Sequence, residues 1–463
     1  MKDKKFQDFP KADKQAWIDQ ATKDLKGDDF EKQLVSMAIE GFPVFPYYAV
    51  EDTKETQWIK TNDNRINPAS DIPGNPPRYW TNAVEVAHED PVVLNEEIKL
   101  VLQNGADGLI LSLSEKTDLD TIFKDVLFPY ISIWIKPTEK PYTSLKFFSD
   151  WLQLQGLEPN AIHGGVLWDG LAKGFQQPIQ LDVQLDRIYN IHRLFEAFPN
   201  FRSICLDTTI YANSGGSSVQ QIGYGLAALV ELWDGLTERG AGAEELYSNL
   251  FIFTAVGSDY FMEIAKLKTL RIALSHLAEL YHVNLPPEEV KLFSVSSKWN
   301  KSAQEPYNNL LRNTTEAMSA ILGGCNVLFV EPHDKYSQVP DAFSKRMARN
   351  ISNILKEEAH FDKVIDPAAG SYFVENLIEK LYTEAFTSLK AIEAEGGWWQ
   401  AYANHLIQED IRKMRRKKIA RHAEERFRKP GPITEGIDQH EAFIEEGYQL
   451  RSISQESLLN HSL

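Results

Sequence analysis

Between positions 79 and 331 of this 463-residue chain, short β-rich runs alternate with amphipathic helical runs. No other feature limits the available folds as much. The strand-like runs cover 81–87, 108–114, 130–136, 161–168, 202–211, 250–256, 290–297 and 326–331. Helix-like runs at 92–103, 144–154, 183–198, 219–236, 260–281 and 306–322 separate them, with a weaker one at 118–126. Strands joined through helices run parallel, because the helix carries the chain back to its starting edge. About eight such units predict an α/β fold, a closed (βα)8 TIM barrel. An open doubly wound sheet shares the local pattern, but no glycine-rich phosphate fingerprint follows the first strand.

The clearest unit is the last. The run 290–297 (VKLFSVSS) leads into Gln304-Glu305-Pro306-Tyr307, which predicts a helix opening with proline in its first turn. Leu310, Leu311, Thr314, Met318 and Ile321 recur at helical spacing, giving one apolar face. Gly323-Gly324 ends the helix, and Cys325 leads into a buried strand.

The flanks read differently. Residues 1–78 form an arm, helical and charged to about position 40, with Trp17, Ala21, Leu25, Phe30, Leu34 and Met37 on an interrupted apolar stripe. Such an arm must pack on its own domain or on a partner subunit. Residues 41–77 are too rich in proline for a sheet interior. The barrel is assigned to 79–360, C-terminal helices to 361–430 (374–394 and 398–427), and a polar tail to 431–463.

Hydrophobic residues make up 43% of the chain, enough for a real core, and no apolar run approaches the ~20 residues that span a bilayer. The N-terminus has no apolar signal segment, and Cys205 and Cys325 sit in apolar strand-like runs, so a cytoplasmic protein with reduced, buried thiols is expected. No Cys/His spacing suggests a metal. The net charge of −17 argues against nucleic acid. The segment 412–429 (RKMRRKKIARHAEERFRK) runs the other way, either as a solvated charged helix or as a contact for an acidic partner or a nucleotide phosphate.

At the strand C-termini, where barrel active sites lie, the polar candidates fall in three clusters. They are Glu85, His88 and Glu89 after the first strand, Thr208, Thr209, Tyr211 and Asn213 after the fifth, and Glu331 and His333 after the last. Glu85 and Glu331 suit an acid–base pair, and either histidine a general base; a carboxylate beside a histidine is common at barrel mouths for packing and solvation alone.

Several motifs resemble the adenosylcobalamin-dependent acyl-CoA mutases of the methylmalonyl-CoA mutase family. QEPYNNLLRNTTEAMSAILGG at 304–324 is similar to that family's QDPYNN–R–T–EAM–A–GG signature, and 366–375 to its DPxAGSYxVE. Residues 343–350 resemble FSxRxARN, and 40–52 resemble EGIxVKPLYTxED. The resemblance runs from about position 40 to about 421 and implies a TIM barrel. Against WTxRQY, the arginine, glutamine and tyrosine fall on Ala83, Val84 and Glu85. Against GYHxxEAGA, the substrate-contacting histidine is replaced by Ile210 and the glutamate by Asn213. Against GTIQND, the glutamine and asparagine become Leu167 and Trp168.

The resemblance thus implies a non-catalytic, β-type small subunit. Its partner would be a homologous large subunit in a heterodimer, carrying adenosylcobalamin and interconverting methylmalonyl-CoA and succinyl-CoA. No flavodoxin-like cobalamin domain is expected in this chain. Asp438-Gln439-His440 mimics DxHxxG, but Phe443 stands at the glycine position. The retained Gln304, Tyr307, Asn308, Asn309 and Arg312 would line a substrate channel in an active member; here they are expected to satisfy one another and the loop backbone. Two rival expectations remain. One is a diverged barrel enzyme using Glu85, His88, Tyr211 and Glu331, which a barrel filled by Trp134 and Trp168 would exclude. The other is a regulatory or chaperone-like partner acting through the arm and the basic helix.

Overall fold

The structure, a computed structural model, describes residues 13–60, 66–70, 74–138, 140–428 and 445–459. The barrel strands are β1 (Thr81–Val86), β2 (Gly108–Leu113), β3 (Ser132–Pro137), β4 (His163–Val166), β5 (Phe201–Arg202 and Ile204–Asp207), β6 (Leu250–Val256), β7 (Leu292–Ser296) and β8 (Val327–Phe329). Each pairs in parallel with its sequence neighbours, and β8 pairs with β1 through Val327↔Thr81 and Phe329↔Ala83. The two ends of the hydrogen-bonded order are the two halves of β5, interrupted at Ser203, so the sheet closes into a (βα)8 TIM barrel.

The period of two along each strand sorts the side chains. Leu109, Leu111, Ile133, Ile135, Ile252 and Leu328 point outward and join the core shared with the helices. Ala83, Ile110, Trp134, Cys205, Phe251, Phe293, Val327 and Phe329 point inward and form a separate cluster on the barrel axis. Caps fix where helices start: Asp90 accepts from Val92 N and Val93 N, and Ser217 with Gln220 forms a capping box.

Three expectations are corrected. The fifth strand ends at Asp207 and a short helix, Thr209–Asn213, follows. The Asp207 carboxylate accepts from Thr209 N and Oγ1 (2.8 and 2.5 Å), which turns the chain out of the sheet. The C-terminal helix expected over 398–427 is two helices, Gly397–Ala403 and Leu406–Arg428, broken where His405 adopts φ 63°. Trp168 belongs to the outer core, and Trp134 alone of the two tryptophans enters the barrel.

The arm contributes a two-stranded ribbon, Ser36–Met37 against Pro43–Val44, and a helix, Lys14–Asp24, with no buried residue. The basic helix is neither simply solvated nor free. Lys417 donates to Ile39 O, Lys418 to Gly216 O and Arg421 to Met37 O, tying the ribbon and a rim loop to the C-terminal helix. The only strands among the described residues are those of the barrel and this ribbon.

Candidate functional site: the barrel mouth

The axis below the mouth is filled. Gly165 leaves β4 without an inward side chain; a Cβ there would sit 3.0 Å from the Trp134 ring and 2.5 Å from Arg202 O. Trp134 occupies that space, its ring edge-to-face with Phe251 (4.9 Å) and Phe293 (4.8 Å), and Phe253 adds a further edge contact to Phe293 (5.1 Å). The indole N–H donates to Ser132 Oγ at 2.9 Å, so the one polar atom brought in is satisfied.

Above this aromatic layer lies a charged rim. Lys136 Nζ is 2.5 Å from Glu85 Oε1, and Lys335 Nζ is 2.5 Å from Glu331 and 3.7 Å from Glu85. The Tyr336 hydroxyl also donates to Glu331. Both ammonium groups lie over the Phe329 ring, at 5.9 and 5.8 Å. Burial pushes the Glu85 carboxyl up, but Lys136 and Lys335 outweigh it and hold it below the usual carboxylate range. For Lys335, Glu331 and Glu85 overcome the effect of burial and raise the ammonium. Glu85 and Glu331 thus come together at one lysine, and the lowered Glu85 carboxyl is not poised as a base near neutrality.

The other sequence candidates are scattered. His88 is exposed and accepts from Asp90 N at 3.0 Å, next to a helix cap. Glu89 is exposed. Thr208 donates to Phe253 O, and Asn213 accepts from Ser297 Oγ and Lys298 N. Tyr211 is buried, its hydroxyl accepting from Trp398 Nε1 at 3.0 Å, and burial raises it well above the ordinary phenol. Ile210 is buried in the outer core. Ala83 lies on the axis, and Val84 faces outward. His333 is buried beneath Tyr307, ring centroids 5.3 Å apart, while Tyr307 is 68% exposed.

Within the retained motif, Asn309 is fully buried. Its Oδ1 accepts from Ser302 N (3.0 Å) and Arg312 Nη1 (2.8 Å), and its Nδ2 donates to Ser302 O and His333 O (both 2.8 Å). Asn308 donates to Glu305, and Gln304 is exposed.

Sequence reasoning missed a buried pair one layer out. Lys301 Nζ contacts Glu316 Oε2 at 2.5 Å, and burial pushes the Glu316 carboxyl up to about 7 despite that lysine. It also missed Asp169, which caps the turn after β4 by accepting from Leu171 N, Ala172 N and Asp207 N and which burial pushes up to about 6. Polar residues inside otherwise apolar stretches were the available signal. The cluster of His192, Glu196 and Glu245 could in principle hold a metal. However, both His192 nitrogens are engaged, by Ser203 and Glu245, and Arg193 pairs with Glu196.

The mouth is also strapped. Residues 445–459 cross the rim: Leu450 N donates to Phe175 O, Ile453 N to Asn213 O and Gln455 N to Trp299 O, spanning the loops after β4, β5 and β7. Lys298 donates to Ser452 O, and Glu456 accepts from Ser302 Oγ and Ala303 N. Arg412 and Arg415 clasp Glu445 at 3.0–3.1 Å. The residues Asp438, His440 and Phe443, weighed as a degenerate cobalt-ligand motif, lie outside the described residues.

The fold and rim define a (βα)8-barrel protein of the kind whose functional face is the strand C-termini, here with an aromatic plug on the axis below that face and a segment strapped across part of its rim. The family model for methylmalonyl-CoA mutase matches residues 95–431, and the chain belongs to the methylmalonyl-CoA mutase family. It is 33% identical over 426 residues to the methylmalonyl-CoA mutase small subunit of Porphyromonas gingivalis, covering 89% of this chain and 67% of that one. It is 28% identical over 433 residues to the small subunit of Streptomyces virginiae, covering 90% and 70%. With the mitochondrial methylmalonyl-CoA mutase of Bos taurus it shares 30% identity over 267 residues, 57% of this chain and 35% of that protein. No described helix is long and apolar enough to cross a membrane.

Proposed function

We propose that this chain is a non-catalytic small subunit of an adenosylcobalamin-dependent methylmalonyl-CoA mutase. It pairs as a heterodimer with a homologous large subunit that holds the cofactor and interconverts methylmalonyl-CoA and succinyl-CoA, and it stabilises that subunit in the cytoplasm. The observation that carries this reading is the aromatic plug of Trp134, Phe251 and Phe293, which fills the barrel axis with close-packed rings. The mutual neutralisation of Glu85, Lys136, Lys335 and Glu331 supports it, as do the apolar side chains at Ala83, Val84 and Ile210. So does the similarity to two proteins named as small subunits. The test is size-exclusion chromatography with light scattering on this chain, alone and co-expressed with a large mutase subunit, followed by a cobalamin-dependent mutase assay. A 1:1 complex, active only when the large subunit is present, is the expected result. A self-sufficient oligomer indifferent to the large subunit overturns the proposal.

A further inference from the structure

The ring of helices around the barrel is open at one seam. The first outer helix, Pro91–Gln103, and the eighth, Ala342–Glu357, are bridged by the Lys345–Glu97 ion pair (2.8 Å) and by Asn353 Nδ2 donating to Asn104 O (3.1 Å). Between them runs a groove of about 650 Å3. Its floor includes Val84 and Val330, residues of the barrel wall, and Val84 is only partly covered although it points outward toward the helix layer. Outward strand residues of a closed barrel are ordinarily sealed by the flanking helices. The groove's edges carry Leu100, 58% exposed, and Val339, 90% exposed, so the apolar surface continues out of the cleft.

The charge in this groove is unbalanced. Its two carboxylates are already used: Glu85 by Lys136 and Lys335, and Glu97 by Lys345. Two guanidinium groups remain, Arg346 and Arg349, one helical turn apart. Arg346 lies against the Phe343 ring at 5.6 Å. The Arg349 Nε is buried with no hydrogen-bond partner among the described residues. The buried Arg349 Nε needs an acceptor, Arg346 is exposed beside it, and on a chain of net charge −17 two uncompensated arginines beside an apolar slot are a local reversal of sign.

We propose that this groove is a docking site for a helical segment of the large mutase subunit, one that presents an apolar stripe to Val84, Leu100 and Val339 and a carboxylate to Arg346 and Arg349. The inference rests on the small-subunit reading and names the surface that reading requires. A helix fits because the slot lies between two helices and its occupant completes the ring. The carboxylate is needed because the groove's own acids are spent. The exposed apolar rim extends beyond what a small ligand would cover, which favours a protein occupant.

The experiment measures affinity of the full chain for a large subunit with three variants, Leu100→Asp, the double change Arg346→Glu/Arg349→Glu, and Lys146→Glu as a control on an exposed helix face remote from the groove. Amide exchange of 84–104 and 342–357 is followed with and without the partner. The expected result is at least a tenfold loss of affinity for Leu100→Asp and a hundredfold loss for the double change, none for Lys146→Glu, and slowed exchange in both helices in the wild-type complex. Wild-type binding with both groove variants within twofold, or with no change in exchange at the seam, overturns the docking site and leaves the subunit reading intact. Failure of the wild-type chain to bind overturns the subunit reading, and the docking site falls with it. Slowed exchange on adding decanoate alone, with the complex unaffected by the variants, also overturns the proposal, in favour of a small amphiphilic anion.

Discussion

Replacing Trp134 with alanine tests whether the barrel axis is packed core or a channel. The indole is 5% exposed and sits edge-to-face between Phe251 and Phe293, with its N–H on Ser132 Oγ. Truncating a buried aromatic to alanine costs about 3–5 kcal/mol, because the lost transfer energy is joined by the energy of the cavity left behind. Two ring contacts and a buried hydrogen bond place Trp134 toward the upper end of that range. With a urea dependence of about 3 kcal/mol/M for a chain of this size, the midpoint followed by circular dichroism falls by roughly 1.3–1.7 M. The vacated space is walled by Phe251, Phe293 and neighbouring apolar groups, so it stays dry and accepts an aromatic guest. Added indole at 10–100 times its Kd should then restore about 1–3 kcal/mol. A midpoint shift below roughly 0.3 M, equivalent to about 1 kcal/mol, together with no rescue by indole, would refute the reasoning: the ring would then be lining a solvated passage.

Three further outcomes are expected. Glu316→Gln flattens the pH dependence of stability: the carboxyl is held near 7 by burial, above its ordinary value, so its bound proton favours the folded state below about pH 4.5 and that contribution, on the order of 3 kcal/mol, is lost as pH rises through about 7. Urea midpoints at pH 5 and pH 7.5 check this, and an unchanged difference between the two in the variant contradicts it. Glu445→Ala unclasps the strap from Arg412 and Arg415, so amide exchange at Ile453 and Gln455 should rise at least tenfold while the global midpoint moves little. Asn309→Ala removes a buried amide that joins two rim loops and should cost about 2–4 kcal/mol by leaving the groups on Ser302 and His333 without a partner; thermal unfolding reports it, and a neutral result would reassign the residue to ligand contact.

The barrel was legible because its signal is local. Runs such as VKLFSVSS are short, β-branched and bounded by breakers, and every expected strand falls on an observed one. The misplacements have local causes that composition hides. Asp207 ends β5 by bonding Thr209, though ICLDTTIY reads as uninterrupted strand. His405 breaks the C-terminal helix at a left-handed φ with no glycine or proline to announce it. Facing was the subtler problem: Trp134 lies mid-strand in β3, opposite Gly165, and points to the axis, whereas Trp168 lies two residues past the end of β4 and joins the outer core. The rim could not be read at all, since Glu85, Lys136, Glu331 and Lys335 come from distant parts of the chain and become a network only once the barrel closes. The basic helix hid its role for the same reason, its partners Ile39 O, Gly216 O and Met37 O being backbone carbonyls.

The charged rim and the aromatic plug explain each other. Lysines 136 and 335 sit with their ammonium groups over Phe329, where the ring face offers an electrostatic partner on one side and Glu85 or Glu331 supplies the other. A rim of this kind on a hydrated axis would lose most of its attraction to solvent screening; over a close-packed aromatic layer it is worth more. The retained asparagines follow the same logic. Asn309 ties Ser302 to His333, and Asn313 donates to Glu331 O, so the QEPYNN helix fixes the backbone that presents Glu331 to Lys335. Such residues have a physical reason to persist in this barrel without any substrate to line up, whereas positions such as Ala83 and Ile210, which carry no polar group, have none to hold one.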